Sequence, residues 1–342
     1  MTLPTDKFNA AVTPLYDNHG RPLTYLRLAV TDRCNLRCFY CMPEEGIRYL
    51  PKKDLLTFEE IERLITLLAS LGISKIRLTG GEPFVRHDLM DLMQRITEIP
   101  GIKDLHLTTN GVLTAPHVGA LKKMGIASVN LSLDTLDRER FRVITRRDEF
   151  EPVMNTLNLL LEHDIAVKIN AVVMEGKNID DIVPLIELTR NQRVEVRFIE
   201  EMPFNGEGNH YPTLHWTYTR ILDYIKSHYP NLIKLPDPQH STAYTYSIPG
   251  HLGNLGIIAA FSRTFCGTCN RLRITAQGTL KTCLYDDGVL DLRALLRADH
   301  SDEYIKQQLQ TAFQHRAKDG FEAEQRRKNH LPVSESMSTI GG

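Results

Sequence analysis

The chain has 342 residues, 42% of them hydrophobic and 24% charged, with a formal net charge of −1. This is the composition of an ordinary globular protein, long enough for one large domain and a smaller one. The near-neutral balance argues against a general nucleic-acid or membrane-surface role, the N-terminus has no apolar secretory core, and no apolar run approaches the ~18 residues that would span a bilayer. Six cysteines in a chain expected to be cytoplasmic read as metal ligands rather than disulfides.

The first apolar strand is expected at 26–30. Directly after it stand Cys34, Cys38 and Cys41, spaced C-x3-C-x2-C. Thiolates on short loops of this kind hold iron–sulfur clusters, and three ligands leave one iron of a four-iron cluster open. Zinc is the plain alternative, but structural zinc takes four closed ligands and no fourth stands close by. A capping box at Thr57–Glu60 opens a helix whose Ile61, Leu64, Ile65 and Leu68 form one apolar stripe and which Gly72 ends. A strand at 75–79 runs into Gly80-Gly81-Glu82-Pro83, where paired glycines let the main chain approach a ligand without a Cβ clash. Helices at 88–97, 115–124, 151–163 and 179–190 then alternate with strands at 104–109, 127–133, 166–173 and 194–200. A βα repeat of about 30 residues means a parallel sheet with helices outside, and six units are enough for a partial barrel. The competing open doubly wound sheet lacks its G-x-G-x-x-G turn here. The expected class is α/β: a partial (β/α)6 barrel with a C-terminal α+β extension.

Strand parity says which face lines the lumen. Leu26, Leu28, Ile76, Leu78, Leu105, Leu107, Val129 and Leu131 share the apolar parity that should meet the helices. The opposite parity carries Arg27, Lys75, Arg77, Thr79, His106, Thr108, Asn110, Asn130, Ser132, Lys168, Asn170 and Arg197, with Asp134 and Glu201 the visible acids. Unpartnered buried cations cost roughly several kcal/mol each. A lumen lined by Arg27, Arg77, Lys168 and Arg197 therefore expects water and an anionic, phosphate-like ligand rather than a packed core.

The pattern changes after Met202. A turn-rich break follows at 203–208, and residues 205–265 show weak periodicity, so the expected division is 1–20 as an N-terminal extension, 21–203 as the barrel and 204–342 as a C-terminal domain. That last region carries Cys266, Cys269 and Cys283, spaced C-x2-C-x13-C, with Asn270-Arg271-Leu272-Arg273 directly after the pair. Three thiolates again suggest a cluster with an open iron, although on spacing alone a zinc site completed by His240, His251 or His300 stays open. The tail Ile340-Gly341-Gly342 reads by itself as a solvated end. His117 and His163 read as helix-surface side chains, and Arg146-Arg147 and Arg326-Arg327-Lys328 as solvated surface charge.

The first triplet together with Gly80-Gly81-Glu82-Pro83 resembles the signature of the radical SAM enzymes. Adding the second triplet, Arg271-x-Arg273 and the final Gly-Gly makes the chain similar to the GTP 3′,8-cyclases of molybdenum-cofactor biosynthesis, over roughly residues 20–342 and thinly at 204–262. The resemblance implies two four-iron four-sulfur (4Fe-4S) clusters, one on Cys34, Cys38 and Cys41 and one on Cys266, Cys269 and Cys283. It implies S-adenosyl-L-methionine (SAM) contacts at Tyr40, Gly81, Ser132 and Met202, and GTP contacts at Arg27, Arg77, Thr108, Lys168, Arg271 and Arg273. Arg197 takes a supporting place among the lumen cations, and Gly341 and Gly342 reach into the active site. The activity implied is cyclisation of GTP to 3′,8-cyclo-7,8-dihydro-GTP, begun by a 5′-deoxyadenosyl radical that removes the C3′ hydrogen of the ribose. A homodimer, a small electron carrier of flavodoxin or ferredoxin type, and cyclic pyranopterin monophosphate synthase downstream are the partners implied. A peptide-modifying radical SAM maturase and a non-catalytic zinc scaffold are the alternatives.

Overall fold

The computed structural model describes residues 15–204, 214–327 and 335–341. Six strands lie side by side in chain order: β1 (Tyr25–Ala29), β2 (Lys75–Thr79), β3 (Asp104–Thr109), β4 (Ser128–Ser132), β5 (Val167–Val173) and β6 (Val194–Glu200). Each is parallel to the last, and each falls within a residue of its expected bounds. Leu26, Leu28, Ile76, Leu78, Leu107, Val129 and Leu131 are fully buried against the helices, as their parity requires. Each large apolar side chain so buried stabilises the fold by about 1.5–3 kcal/mol.

The helices follow local signals. In α1 (Phe58–Ser70) the capping box is formed, Thr57 Oγ1 accepting from Glu60 N at 3.2 Å and Glu60 Oε2 from Thr57 N at 2.8 Å. Next come α2 (Leu89–Glu98) and α3 (Val118–Met124). The helix expected at 115–124 begins as a tight 3-10 turn, Ala115–His117, with Pro116 in the first turn, where its missing N–H costs nothing. The charged stretch after Asp137 forms an unexpected helix, α4 (Arg138–Thr145), which buries only Phe141, Ile144 and Thr145 and is capped by Asp137. Then come α5 (Phe150–Glu162) and α6 (Ile182–Asn191), the latter also opened by a 3-10 turn at Ile179–Asp181.

The weakly periodic region hides α7 (Tyr218–His228) and the antiparallel pair β7 (Ala243–Ser247) and β8 (Asn254–Ile258). Beyond it lie β9 (Arg271–Ile274) and β10 (Thr279–Lys281). Strand β8 pairs parallel with β6, and β9 parallel with β1. The C-terminal strands thus extend both edges of the six-stranded run into one sheet of twelve strands.

Candidate active site

The polar faces of β1 to β6 and of β9 surround a cavity of about 480 Å³. Register places Arg273, Arg27 and Arg77 opposite one another on three adjacent parallel strands. Neighbouring like charges repel, so this ladder makes the cavity wall strongly electropositive. Burial, and then Arg273, pushes the Arg27 guanidinium well below its ordinary value. Arg273 is likewise pushed down to about 10, by burial and then Arg271. Arg77 donates from Nε to the Tyr25 hydroxyl at 2.7 Å and from Nη1 to the Leu107 carbonyl at 2.8 Å. Burial opposes ionisation of that phenol, but Arg77 and Arg27 hold Tyr25 down at about 7. Lys168 and Arg197 share the Glu195 carboxylate, at 3.2 and 2.6 Å. Glu195 was readable on the same parity as Arg197 and is the acid that meets the cations, whereas Asp134 accepts from the Tyr40 hydroxyl at 2.8 Å. Thr108, Ser132, Tyr40, Gly81 and Met202 also line the cavity, and the buried Thr108 Oγ1 has no hydrogen-bond partner among the described residues.

All six cysteines line the same cavity. The loop of Cys34, Cys38 and Cys41 hangs on the end of α4: Arg37 N donates to Thr145 O at 2.9 Å and Phe39 N to Ile144 O at 3.1 Å. Arg146, expected to be solvated, donates to the Arg37 and Met42 carbonyls and braces this loop. On its other side Gly81 N donates to Thr31 O and Glu82 N to Arg33 O, an approach so close that a Cβ on Gly81 would lie 2.3 Å from Arg33 O. Cys34 Sγ accepts from Leu36 N at 3.4 Å and Asn110 Nδ2 at 3.7 Å. Burial, and then Glu82, pushes its thiol up to about 12, and burial pushes Cys38 well above its ordinary value. Such thiols ionise when a cation sits between them, which is what an iron cluster supplies. Among the described residues no three His, Cys, Asp or Glu side chains converge closely enough for a single metal ion. By chemistry, three thiols on one short loop are a donor set that a four-iron cluster would take with one iron left open.

Comparison with known proteins agrees with this geometry. Residues 28–189 match the model of the Radical SAM superfamily, and residues 194–321 that of Molybdenum Cofactor Synthesis C. A GTP 3′,8-cyclase of Chlorobaculum tepidum is 41% identical, covering 96% of this chain and 97% of its own. The chain belongs to the GTP 3′,8-cyclase family. A mitochondrial GTP 3′,8-cyclase of Arabidopsis thaliana is also 41% identical, over 88% of this chain and 77% of the relative. Molybdenum cofactor biosynthesis protein 1 of Bos taurus is 44% identical over 85% of this chain, which spans 46% of that longer relative. The chain spans about half the length of the animal relatives it matches. Among solved structures, Streptococcus suis SuiB bound to its precursor peptide superposes with a TM-score of 0.60 at 15% identity, over 84% of this chain and 68% of SuiB, a likeness of fold.

The second triplet of this family member is held by residues the sequence left unmarked. Arg316 Nη2 donates to Cys269 Sγ at 3.2 Å and Nη1 to the Cys269 carbonyl at 2.9 Å, while Nε reaches Thr282 O at 2.9 Å. Arg21 Nη1 donates to the Cys266 carbonyl at 3.0 Å, and the buried Asp17 accepts from both arginines, at 2.7 and 3.1 Å. Asp286 folds the third corner by accepting from the Thr282 and Cys283 amides, both at 2.8 Å. Asp17 belongs to the expected N-terminal extension and Arg316 to irregular chain almost 300 residues later, so no local pattern could pair them. His240 lines the cavity with Nδ1 on Thr268 O at 2.8 Å, while His251 bonds Thr189 and His300 packs on Tyr304. The tail is not a solvated end: Gly341 is buried, with its carbonyl on Arg273 Nη1 at 2.8 Å. Gly342 lies outside the described residues. Arg327 is also no surface charge, pairing with Asp287 at 2.7 Å with 9% of its side chain exposed.

Proposed function

We propose that this chain cyclises GTP to 3′,8-cyclo-7,8-dihydro-GTP, the opening step of molybdenum-cofactor assembly. The observation that carries the reading is one cavity lined by both cysteine triplets and by the cations between them. In this reading Cys34, Cys38 and Cys41 hold the first 4Fe-4S cluster, and Cys266, Cys269 and Cys283 the second. Tyr40, Gly81, Ser132 and Met202 hold SAM. Arg27, Arg77, Thr108, Lys168, Arg271 and Arg273 hold GTP, with Arg197 supporting them. Bound there, the first cluster and SAM would supply the radical chemistry for removing hydrogen from the ribose C3′. The cation ladder would fix the triphosphate, and so the ribose C3′, against the adenosyl carbon, where misplacement by an ångström costs about 100-fold in rate. Gly341 helps close the cavity and exclude competing reactions, and Gly342, to which the resemblance gives a part in catalysis, lies outside the described residues. The open six-stranded run, curled so that β1 and β6 face one cavity, is read as the partial (β/α)6 barrel, divided near residue 203 from the C-terminal part that carries the second triplet. A small flavodoxin- or ferredoxin-type electron carrier, a homodimeric assembly in the cytoplasm and a downstream cyclic pyranopterin monophosphate synthase complete the proposal. Among the described residues no helix is long and apolar enough to cross a membrane.

Anaerobic turnover with GTP, SAM and a strong reductant, read by mass spectrometry, tests this. Expected are 5′-deoxyadenosine and a cyclised nucleotide of the same mass as GTP, since one hydrogen leaves C3′ and one returns as electron and proton. Deoxyadenosine without a nucleotide product would move the substrate elsewhere, towards the maturase alternative. A colourless protein that carries zinc in place of two iron clusters would overturn the reading altogether.

A further inference from the structure

The segment 335–341 runs along the cavity wall and touches both cysteine loops. At its start Glu335 Oε2 accepts from Lys281 Nζ at 2.5 Å, and the lysine side chain is only 1% exposed. Next, the Ser336 hydroxyl donates to the Cys41 carbonyl at 2.6 Å and lies 3.8 Å from the Cys41 sulfur, while the Met337 amide donates to the Phe204 carbonyl at 3.1 Å. Met337 and Ile340 pack in a small apolar cluster with Phe204, Tyr285 and Cys283. At its end the Gly341 carbonyl meets Arg273, and a Cβ there would lie 2.5 Å from Thr79 Oγ1.

These tethers differ in kind. The hydroxyl, amide and carbonyl contacts could be exchanged for water if the segment lifted away. Lys281 has less such freedom, because once Glu335 leaves, its buried ammonium loses the carboxylate at 2.5 Å and is left with Asp286 at longer range. Lys281 on β10 is also the register partner of Arg273 on β9. Two neighbouring positions of adjacent strands therefore grip the two ends of one short segment. We propose that the Lys281–Glu335 ion pair is the latch that seats the C-terminal segment, bringing the Ser336 hydroxyl to Cys41 and Gly341 to Arg273. The latch is a positioning device, and its use in turnover rests on the reaction proposed above.

Hydrogen exchange of the full chain without cofactors reads the latch directly. Glu335→Ala and Lys281→Met are each expected to speed exchange at the Thr339 and Gly341 amides by at least about tenfold. The exchanged pair, Lys281→Glu with Glu335→Lys, should restore most of the protection. In the cluster-loaded enzyme, Glu335→Ala should still release 5′-deoxyadenosine while the cyclised nucleotide falls by at least about tenfold. Unchanged exchange in both single variants would overturn the latch. So would an equal loss of protection at the β1 and β2 amides of Glu335→Ala, which would mark the pair as a general fold contact. If the parent enzyme gives no cyclised nucleotide while its tail exchange still depends on Glu335, the proposed reaction fails and the latch stands.

Discussion

His106 sits on β3 with Nδ1 at 2.8 Å from Ser128 Oγ. Burial, followed by Arg77, Lys75 and Lys168, pushes its imidazole down to about 3 from an ordinary 6.5. Between those values the unfolded chain binds a proton that the folded chain refuses. The stabilising effect is complete above pH 6.5 and is lost as pH falls towards 3. Urea unfolding of the cofactor-free protein at pH 7 and pH 5 should show about 2 kcal/mol of loss from this residue, and His106→Gln should show a smaller drop. Cys269 stands apart from the other thiols in a comparable way. Burial opposes its ionisation, but Arg271 and Arg316 override burial and hold it down at about 6, while burial pushes Cys283 up to about 12. In cofactor-free protein, alkylation at pH 7 should reach Cys269 before Cys34 and Cys283, and Arg316→Gln should slow it by at least about threefold. A rise in Cys34 labelling in that variant would instead report a loosened fold.

At the scale of elements, the first cysteine loop is shaped by two neighbours rather than by itself. The end of α4 supplies carbonyls to its amides, and the Gly80-Gly81 turn after β2 lies against its other side. Gly81→Ala would press a methyl group into the Arg33 carbonyl, which belongs to backbone and cannot swing aside. The expected cost is about 3 kcal/mol of stability, seen as a lower thermal midpoint together with loss of iron binding at this loop. The Gly-Gly pair was legible as a close-approach signal. Which backbone approaches it was not, because the partner lies some fifty residues earlier on another loop. Helix α4 escaped for a different reason: its apolar stripe is only two large side chains wide, too narrow to stand out from its charges.

At the scale of the molecule, the cavity is an electrostatic balance between cations gathered from several strands and carboxylates, of which Glu195 is shared by Lys168 and Arg197. Glu195→Gln should change two measurements in opposite directions. The unliganded protein should lose about 1–3 kcal/mol in denaturant unfolding, because two half-buried cations lose their carboxylate. GTP should bind a few-fold tighter by calorimetry at low salt, an advantage that fades as salt screens the cavity mouth. Loss of both stability and affinity would show that Glu195 chiefly orients Lys168 and Arg197 for the ligand.

By itself the sequence determined what depends on short-range pattern: six strands and their polar faces, the capping box of α1, both cysteine spacings and the cations of the lumen. A strand's period of two and a motif's spacing are carried by neighbouring residues, so they survive reading along the chain. Tertiary structure alone decided that β9 would pair with β1, setting Arg273 beside Arg27, and that β8 would extend the other edge at β6. It also decided that Asp17 would bind Arg316, that Arg146 would brace the first cysteine loop, and that the tail would run from Lys281 to Arg273. Those contacts join residues far apart in sequence. They follow from which sheet edge is free and which charges packing leaves buried, and neither leaves a periodic mark on the chain.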